Sequence, residues 1–463
     1  MNSYTYIKTD NDKVNTAYHI AVSDLYGNIK PFKGGLLEEE KPVIIAGMGY
    51  DTPWTRDAAI NTLNAGGILF PEVSKNTLLS VLKKENGRLM IDGEYWDSII
   101  WTWGAWQYYL YTGDKEFLKL AFEATKNSLE YFENTEFDGE DNLFRGAACY
   151  GDGVAAYPDI YASHGESGII TFASECKDKC ANSGVGIPMK ALSTNCLYYY
   201  AYVMADKMAV EFNEENIFSS KAEKIKLAIN KNFWMEDKGY YRYIIDEFGG
   251  CDYFEGMGNS FAILFDVADD VQKKTILKSA PITPNGIACV YPSFERYKSF
   301  KEGGYGRHSG TVWPHIQSFW ADAAFNNDEY DITQKEFAAL TKSACRDGFF
   351  AEIYHPETGE MYGGLQEFSK GGIIEWESMK KQTWSATGYL HIIFANIIGM
   401  RFAKDGLYIK PVLPAEVNSL ELRGLKIRNM TLNISIKAKN GKKAKEEIFV
   451  PYTNDVKHIE ISL

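Results

Sequence analysis

The order of apolar and polar positions gives the first reading of the chain. Between Val14 and Leu25 the apolar residues fall at Val14, Ala17, Tyr18, Ala21, Val22 and Leu25, the spacing of a helix with one buried face, closed by Gly27. The same rhythm after Asp114 runs through Phe117, Leu118, Ala121, Ala124, Leu129 and Phe132. Thr333 with Glu336 forms a capping-box pattern ahead of Phe337, Leu340 and Ala344. Along the whole chain the pattern predicts helices near 13–26, 56–66, 74–84, 97–112, 115–134, 188–213, 216–233, 258–266, 268–280, 312–326, 332–347 and 382–400. Segments 96–111 and 384–400 are apolar almost all round and belong inside, whereas 216–233 keeps a polar face and belongs outside. An even mixture of inner and outer helices joined by hairpins predicts a mainly α fold, a toroid of two rings.

After Lys404 the period changes to two. Met430, Leu432, Ile434, Ile436 and Ala438 alternate with Thr431, Asn433, Ser435 and Lys437, and Asn440-Gly441 supplies a hairpin turn. The tail therefore reads as a small antiparallel sheet, which divides the chain into a helical domain, 1–403, and a β domain, 404–463. The lysine-rich KAKNGKKAKEE reads as a solvated hairpin.

Charge and composition narrow the function. Against 49 Lys and Arg stand 62 Asp and Glu, a net charge of −13, which argues against a nucleic-acid or anionic-membrane partner. No apolar run reaches the roughly 18 residues of a membrane span, and MNSYTYIKTDNDK lacks the regions of a leader peptide, so a cytoplasmic location is expected. Of seven cysteines only Cys176 and Cys180 are close, and reduced thiols are expected, with neither a disulfide framework nor a metal site. Asp138, Glu140 and Asp141 read as solvated acids rather than calcium ligands. No Gly-x-Gly-x-x-Gly, P-loop or Gly-x-Ser-x-Gly pattern occurs, and no cofactor is expected. The 30 Tyr, 26 Phe and 10 Trp need either a core or a flat ligand.

Three long connections, roughly 27–55, 135–187 and 348–381, are the places for function in a helical protein. Each ends beside a segment rich in Trp and carboxylates. YDTPWTRDAAIN carries Trp54, Arg56 and Asp57, either a structural ion pair or hydrogen-bonding groups for a polyhydroxylated ligand. GEYWDSIIWTWGAWQYY carries four tryptophans, mostly core, with Trp96 and Asp97 at the helix start. In LFRGAACYGDGVAAYPDIY, Asp152 sits between two glycines in apolar surroundings, which is either a tight turn or a carboxyl with a raised pKa suited to a general acid. GYGRHSGTVWPHIQSFW holds Arg307, His308, Trp313 and His315, at no zinc spacing. AEIYHPETGEMYGGLQEF holds Glu352, Glu357, Glu360 and Glu367, three of them expected as solvated acids, and leads to QTWSATGYL. Paired carboxylates among tryptophans suit glycoside hydrolysis, in which one carboxyl protonates the leaving oxygen and the other activates water or attacks carbon.

These segments resemble the six-hairpin (α/α)6-barrel glycosidases, the group of processing α-glucosidase, mannosylglycerate hydrolase, trehalase and amylo-α-1,6-glucosidase. YDTPWTRDAA is similar to the family's Trp-x-Arg-Asp segment, RHSGTVWPHI to its His-x-Gly-x-Val-Trp-Pro helix start, and AEIYHPETG with TWSATGYL to its Glu-x-Tyr-x-Pro-x-Thr-Gly and Trp-Ser-Ala pair. The resemblance covers nearly the whole chain. It implies an inverting α-glycosidase acting on α-linked di- or oligosaccharides, with a lean to α-glucosides. Glu352 is then the general base. Trp54, Arg56 and Asp57 hold the sugar, Trp313 and Trp384 line the pocket, and Trp96, Asp97, His308 and Gln382 complete the expected substrate-binding set. The general acid falls on Asp152, although RGAACYGDG departs from the family's acid motif, and Asp97, Asp159 and Glu166 are the fallbacks. Inversion would set Asp152 and Glu352 roughly 6.5–9.5 Å apart. The competing readings are a phosphorylase on the same scaffold, a sugar epimerase using histidines such as His308, and a carbohydrate-binding protein without catalysis.

Overall fold

The computed structural model describes residues 5–93, 98–162, 165–175, 187–215 and 217–463. Among these residues a helix forms in each of the twelve expected segments, although Leu82–Glu85 and Met189–Ala191, partly or wholly inside two of those spans, are strands. The helices are α1 (Asp12–Gly27), α2 (Thr55–Asn61), α3 (Pro71–Ser80), α4 (Ile100–Thr112), α5 (Lys115–Thr135), α6 (Leu192–Phe212), α7 (Ser219–Phe233), α8 (Gly256–Leu264), α9 (Asp270–Ser279), α10 (Pro314–Phe325), α11 (Tyr330–Asp347) and α12 (Thr383–His391). Cys176 and Cys180 lie outside the described residues.

The even-numbered helices pack in sequence, α2 on α4, α4 on α6, α6 on α8, α8 on α10 and α10 on α12, and α12 returns to α2. The odd-numbered helices lie outside them: α3 and α5 pack on α4, α7 on α6, α9 on α8, α11 on α10 and α1 on α12. The sequence explains the sorting. Ile100, Trp101, Thr102 and Trp106 of α4 are buried around the helix, whereas α5 buries Phe117, Leu118, Ala121 and Leu129 on one face.

Caps set the ends. Asp114 accepts the Phe117 amide (2.9 Å) to start α5, and Pro314 opens α10, where its missing N–H costs nothing. The capping box expected at Thr333 and Glu336 is not there, because α11 begins at Tyr330 and takes both residues into its buried face. Thr333 bonds the Ala321 carbonyl, and Glu336 accepts from Ile287 N and Gln317 Nε2. A capping box does form at Asp269 and Gln272, ahead of α9. Two of the inner helices end differently from the periodic pattern, since α2 and α12 run on into π-helical turns, Thr62–Gly66 and Ile392–Ile397.

The tail contains more than an antiparallel hairpin. Four strands, β1 (Tyr6–Thr9), β2 (Ser419–Ile427), β3 (Met430–Lys437) and β4 (Val456–Ser462), make one sheet in the order β1-β2-β3-β4. β1 and β3 flank β2 antiparallel, but β4 joins β3 in parallel. Asn440-Gly441 makes no hairpin turn, because the chain leaves for a second, three-stranded sheet that includes Ile448–Pro451. Leu420, Leu422, Ile434 and Ile436 share one buried cluster with residues of α1, α11 and α12. Among the described residues no helix is long and apolar enough to cross a membrane.

Several expected solvated acids are paired instead. Asp138 bonds Arg145 (2.8 Å) and Lys190 (2.9 Å), Lys190 also reaches Asp141, and Glu367 bonds Arg296 and Tyr297, each at 2.6 Å.

Candidate active site

The N-terminal ends of the inner helices and the connections before them surround a cavity of about 210 Å³. Trp54 precedes α2, Trp313 precedes α10 and Gln382 precedes α12, so three helix starts deliver side chains to one place.

At the wall, Arg56 donates from Nη2 to Asp152 Oδ2 at 2.8 Å, with the arginine side chain 7% exposed and the carboxylate 30%. His308 Nε2 lies 3.6 Å from the other Asp152 oxygen, beyond hydrogen-bond reach. Gly153 is glycine for lack of room: a Cβ there would fall 2.2 Å from Gln366 Oε1 and 2.8 Å from the His308 ring. The residue two positions earlier, Gly151, has Tyr157 Oη where a Cβ would go (2.4 Å). The Gly-Asp-Gly turn is thus pressed between Gln366 and His308 on one side and Tyr157 on the other.

Glu352 is almost fully buried and holds three donors. Arg307 Nη2 reaches Oε2 at 2.7 Å, Met379 N reaches the same oxygen at 3.3 Å, and Tyr50 Oη donates to Oε1 at 3.2 Å. Arg307 is itself placed by the carbonyls of Gly363 (3.1 Å) and Glu377 (3.3 Å). Trp313 donates to the Arg307 carbonyl (2.9 Å) and stacks on His308 with centroids 4.8 Å apart; Trp384 stacks on His315 at 4.2 Å. Trp54, 41% exposed, stands at the rim with the Arg56 guanidinium 5.6 Å from its ring.

The electrostatics overturn one expectation. Burial works to raise the Asp152 pKa, but the Arg56 guanidinium holds it below the usual carboxylate value, so the resting group is ionised and not a ready acid. Asp57 is the carboxyl that is raised. Burial pushes it to about 7, Arg56 works against the rise, and Glu352 and Asp152 add to it. Among the described residues its Oδ1 meets no partner, nor do Gln382 Oε1 and Trp384 Nε1. Three unsatisfied buried groups in one cavity are places for ligand hydroxyls. Burial drives His308 down to about 3, which keeps the imidazole neutral near pH 7.

Of the expected residues, the fold gathers Trp54, Arg56, Asp57, Asp152, His308, Trp313, Glu352, Gln382 and Trp384 around the cavity. Trp96 and Asp97 lie outside the described residues. Glu166 lines the cavity, whereas Asp159 is 80% exposed and bonded to Arg296 elsewhere. Tyr50, Tyr150, Arg307, Gln366 and Trp376 also line it and were not among the expected site residues. Arg307 adjoins His308 in a quoted segment, so its neighbour was the signal; Trp376, alone in GGIIEWES, gave none. Among the described residues no His, Cys, Asp and Glu cluster could hold a metal. The cavity thus offers two arginine-paired carboxyl groups, Asp152 and Glu352, a third with a raised pKa, Asp57, and indole faces, a set able to bind hydroxyls and move protons.

The fold matches a sialidase with a TM-score of 0.69 at 12% identity, covering 98% of this chain and 41% of that one. It matches the GH63 mannosylglycerate hydrolase of Thermus thermophilus in complex with glucose at 0.63 and 14% identity, covering 81% of this chain and 100% of that one. The GH78 rhamnosidase of Bacillus sp. GL1 matches at 0.57 and 14% identity, over 99% of this chain and 44% of that one. The chain therefore spans less than half the length of the sialidase and of this rhamnosidase. No curated protein sequence matches it. Residues 95–385 match the family described as mannosylglycerate hydrolase MGH1-like glycoside hydrolase domain, so this chain belongs to that family.

Proposed function

We propose that the chain is an inverting α-glycosidase of the α-glucosidase type, acting on short α-linked saccharides from an (α/α)6 toroid. Residues 1–403 would be the catalytic unit and 404–463 a β unit packed on it. The return of α12 onto α2 supports the closed toroid.

One observation carries the mechanism: two carboxylates on separate loops face one tryptophan-lined cavity, each held by its own arginine. Glu352, paired with Arg307 and oriented by Tyr50 and Met379 N, accepts a proton from the attacking water. Asp152 delivers a proton to the leaving oxygen. It acquires that proton only in the bound state, when a sugar hydroxyl draws Arg56 away and burial is left to raise its pKa. Asp57, Gln382 and Trp384 take sugar hydroxyls with their open hydrogen-bonding atoms, and Trp54 stacks at the rim. A neutral, buried His308 supports hydrolysis over histidine-driven epimerisation, and a carboxylate at the position of the base supports water over phosphate as nucleophile.

The test is a panel of α- and β-linked disaccharides and oligosaccharides, with and without phosphate, followed by NMR. Release of free β-anomer from an α-linked substrate is expected. A sugar 1-phosphate, a retained anomer, or binding of the whole panel without cleavage would each replace this reading.

A further inference from the structure

The inner helices have a second end. Counting along α2 from Asp57 to Asn64, or along α12 from Trp384 to His391, the chain moves about 10 Å from the first cavity. There a second cavity opens with the same volume, about 210 Å³. Its lining includes Asn64, Trp103, Gln107, Tyr200, Phe265 and Phe394.

Three features mark it as more than a packing gap. The π-helical turn Thr62–Gly66 brings Asn64 to the cavity and the turn Ile392–Ile397 brings Phe394; such turns recur at functional sites because they insert a residue and re-aim side chains. One wall is aromatic. Tyr200 stacks on Phe265 at 3.9 Å with planes 5° apart, and both meet Trp103, which is only partly buried, edge-on at 5.7 and 5.0 Å. Finally, Asn64 has 0% exposure, yet neither its Nδ2 nor its Oδ1 meets a partner among the described residues. A buried amide with both ends open costs free energy unless something else completes it.

The charges nearby are already used. Asp322 accepts from Arg401 Nη2 (2.7 Å) and Asn396 Nδ2 (2.8 Å) and lies 3.3 Å from His391 Nε2. Arg401 also donates to Asn326 Oδ1 (2.6 Å) and to the carbonyls of Ala395 and Met400. With that ion pair saturated, the described residues of the lining leave no open charge to attract an ionic ligand. What remains is an aromatic face with polar atoms beside it, both ends of the Asn64 amide and His391 Nε2 meeting no hydrogen-bond partner among the described residues.

We propose that this cavity is a second ligand site, for a neutral polyhydroxylated molecule of one sugar ring, separate from the candidate active site. The C–H face of the ring lies against Trp103, and Asn64 gives and accepts one hydrogen bond. The proposal stands whether or not the first cavity works as described above.

The experiment titrates the protein with D-glucose, D-mannose and L-rhamnose, following the tryptophan indole signals by NMR, and soaks crystals in the same sugars. At least one sugar should shift Trp103 and appear in density against Asn64. Asn64→Leu should lower that affinity at least tenfold while leaving hydrolysis unchanged. It should also raise the midpoint of thermal unfolding, because the open amide is gone. Trp103→Leu gives a second loss of binding if the first variant does not fold. Unchanged affinity in a folded variant, or only ordered water in the cavity at saturating sugar, overturns the proposal.

Discussion

Glu352 and Asp152 differ in what holds them, and this sets what each can do. Glu352 is fastened on both oxygens, by Arg307 and Met379 N on one and Tyr50 on the other. Replacing it with Gln keeps the shape and removes the charge, so Glu352→Gln should fold normally by circular dichroism and lose hydrolysis by about 10²–10⁴-fold. Near-normal turnover would remove Glu352 from the role of base. Asp152 is held on one oxygen by Arg56 and is ionised in the free protein. An acid must be protonated to act, so activity falls as pH rises through its pKa. If a bound sugar loosens Arg56, that pKa is higher in the complex than in the free enzyme. The alkaline limb of kcat should then lie at higher pH than that of kcat/KM, and coincident limbs would count against the displaced arginine.

At the scale of elements, the site depends on loops whose placement is set by close backbone approach. Gly364 has φ +77°, and a Cβ there would lie 2.4 Å from Arg307 Cα and 2.6 Å from Arg307 N. Gly364→Ala must strain the loop or push Arg307 away from Glu352. The expected result is a loss of about 1–3 kcal/mol in urea unfolding together with a fall in kcat, and a variant with unchanged kcat would show that Arg307 does not need this contact. Helix positions were legible in the sequence, because a 3.6-residue period survives wherever one face is buried. Their ends were less so. Nothing local announces that α2 and α12 continue as π-helical turns, or that residues 189–191 pair as a strand with 244–246. The site was legible where residues share a segment, as Trp54, Arg56 and Asp57 do. It was opaque where one residue arrives from a distant loop, as Trp376 does. The sign of the Asp152 pKa shift was missed for the same reason: its apolar neighbours are local, but Arg56 is 96 positions away.

The whole molecule carries buried acids as a group. Burial raises Asp24 to about 6, Asp57, Glu136 and Glu336 each to about 7, and Glu255 to about 8. In each case the folded chain binds the proton more tightly than the unfolded chain, so the stabilising share is complete near pH 4 and is lost as pH rises through about 6 to 8. Thermal unfolding should therefore have a higher midpoint near pH 5 than near pH 8.5. Glu255→Gln should raise the midpoint at pH 8.5 and change it little at pH 5; an equal effect at both would mean that Glu255 is not protonated in the fold. The tail sheet adds a matter of timing. Thr5 bonds the carbonyl of Gly424, 419 positions later, and among the described residues β1 has its sheet partner only in β2. On a ribosome adding about 5–20 residues per second, β1 waits roughly 20–80 s for that partner to be made. Through that interval its residues are an unpaired strand, free to be taken by another chain.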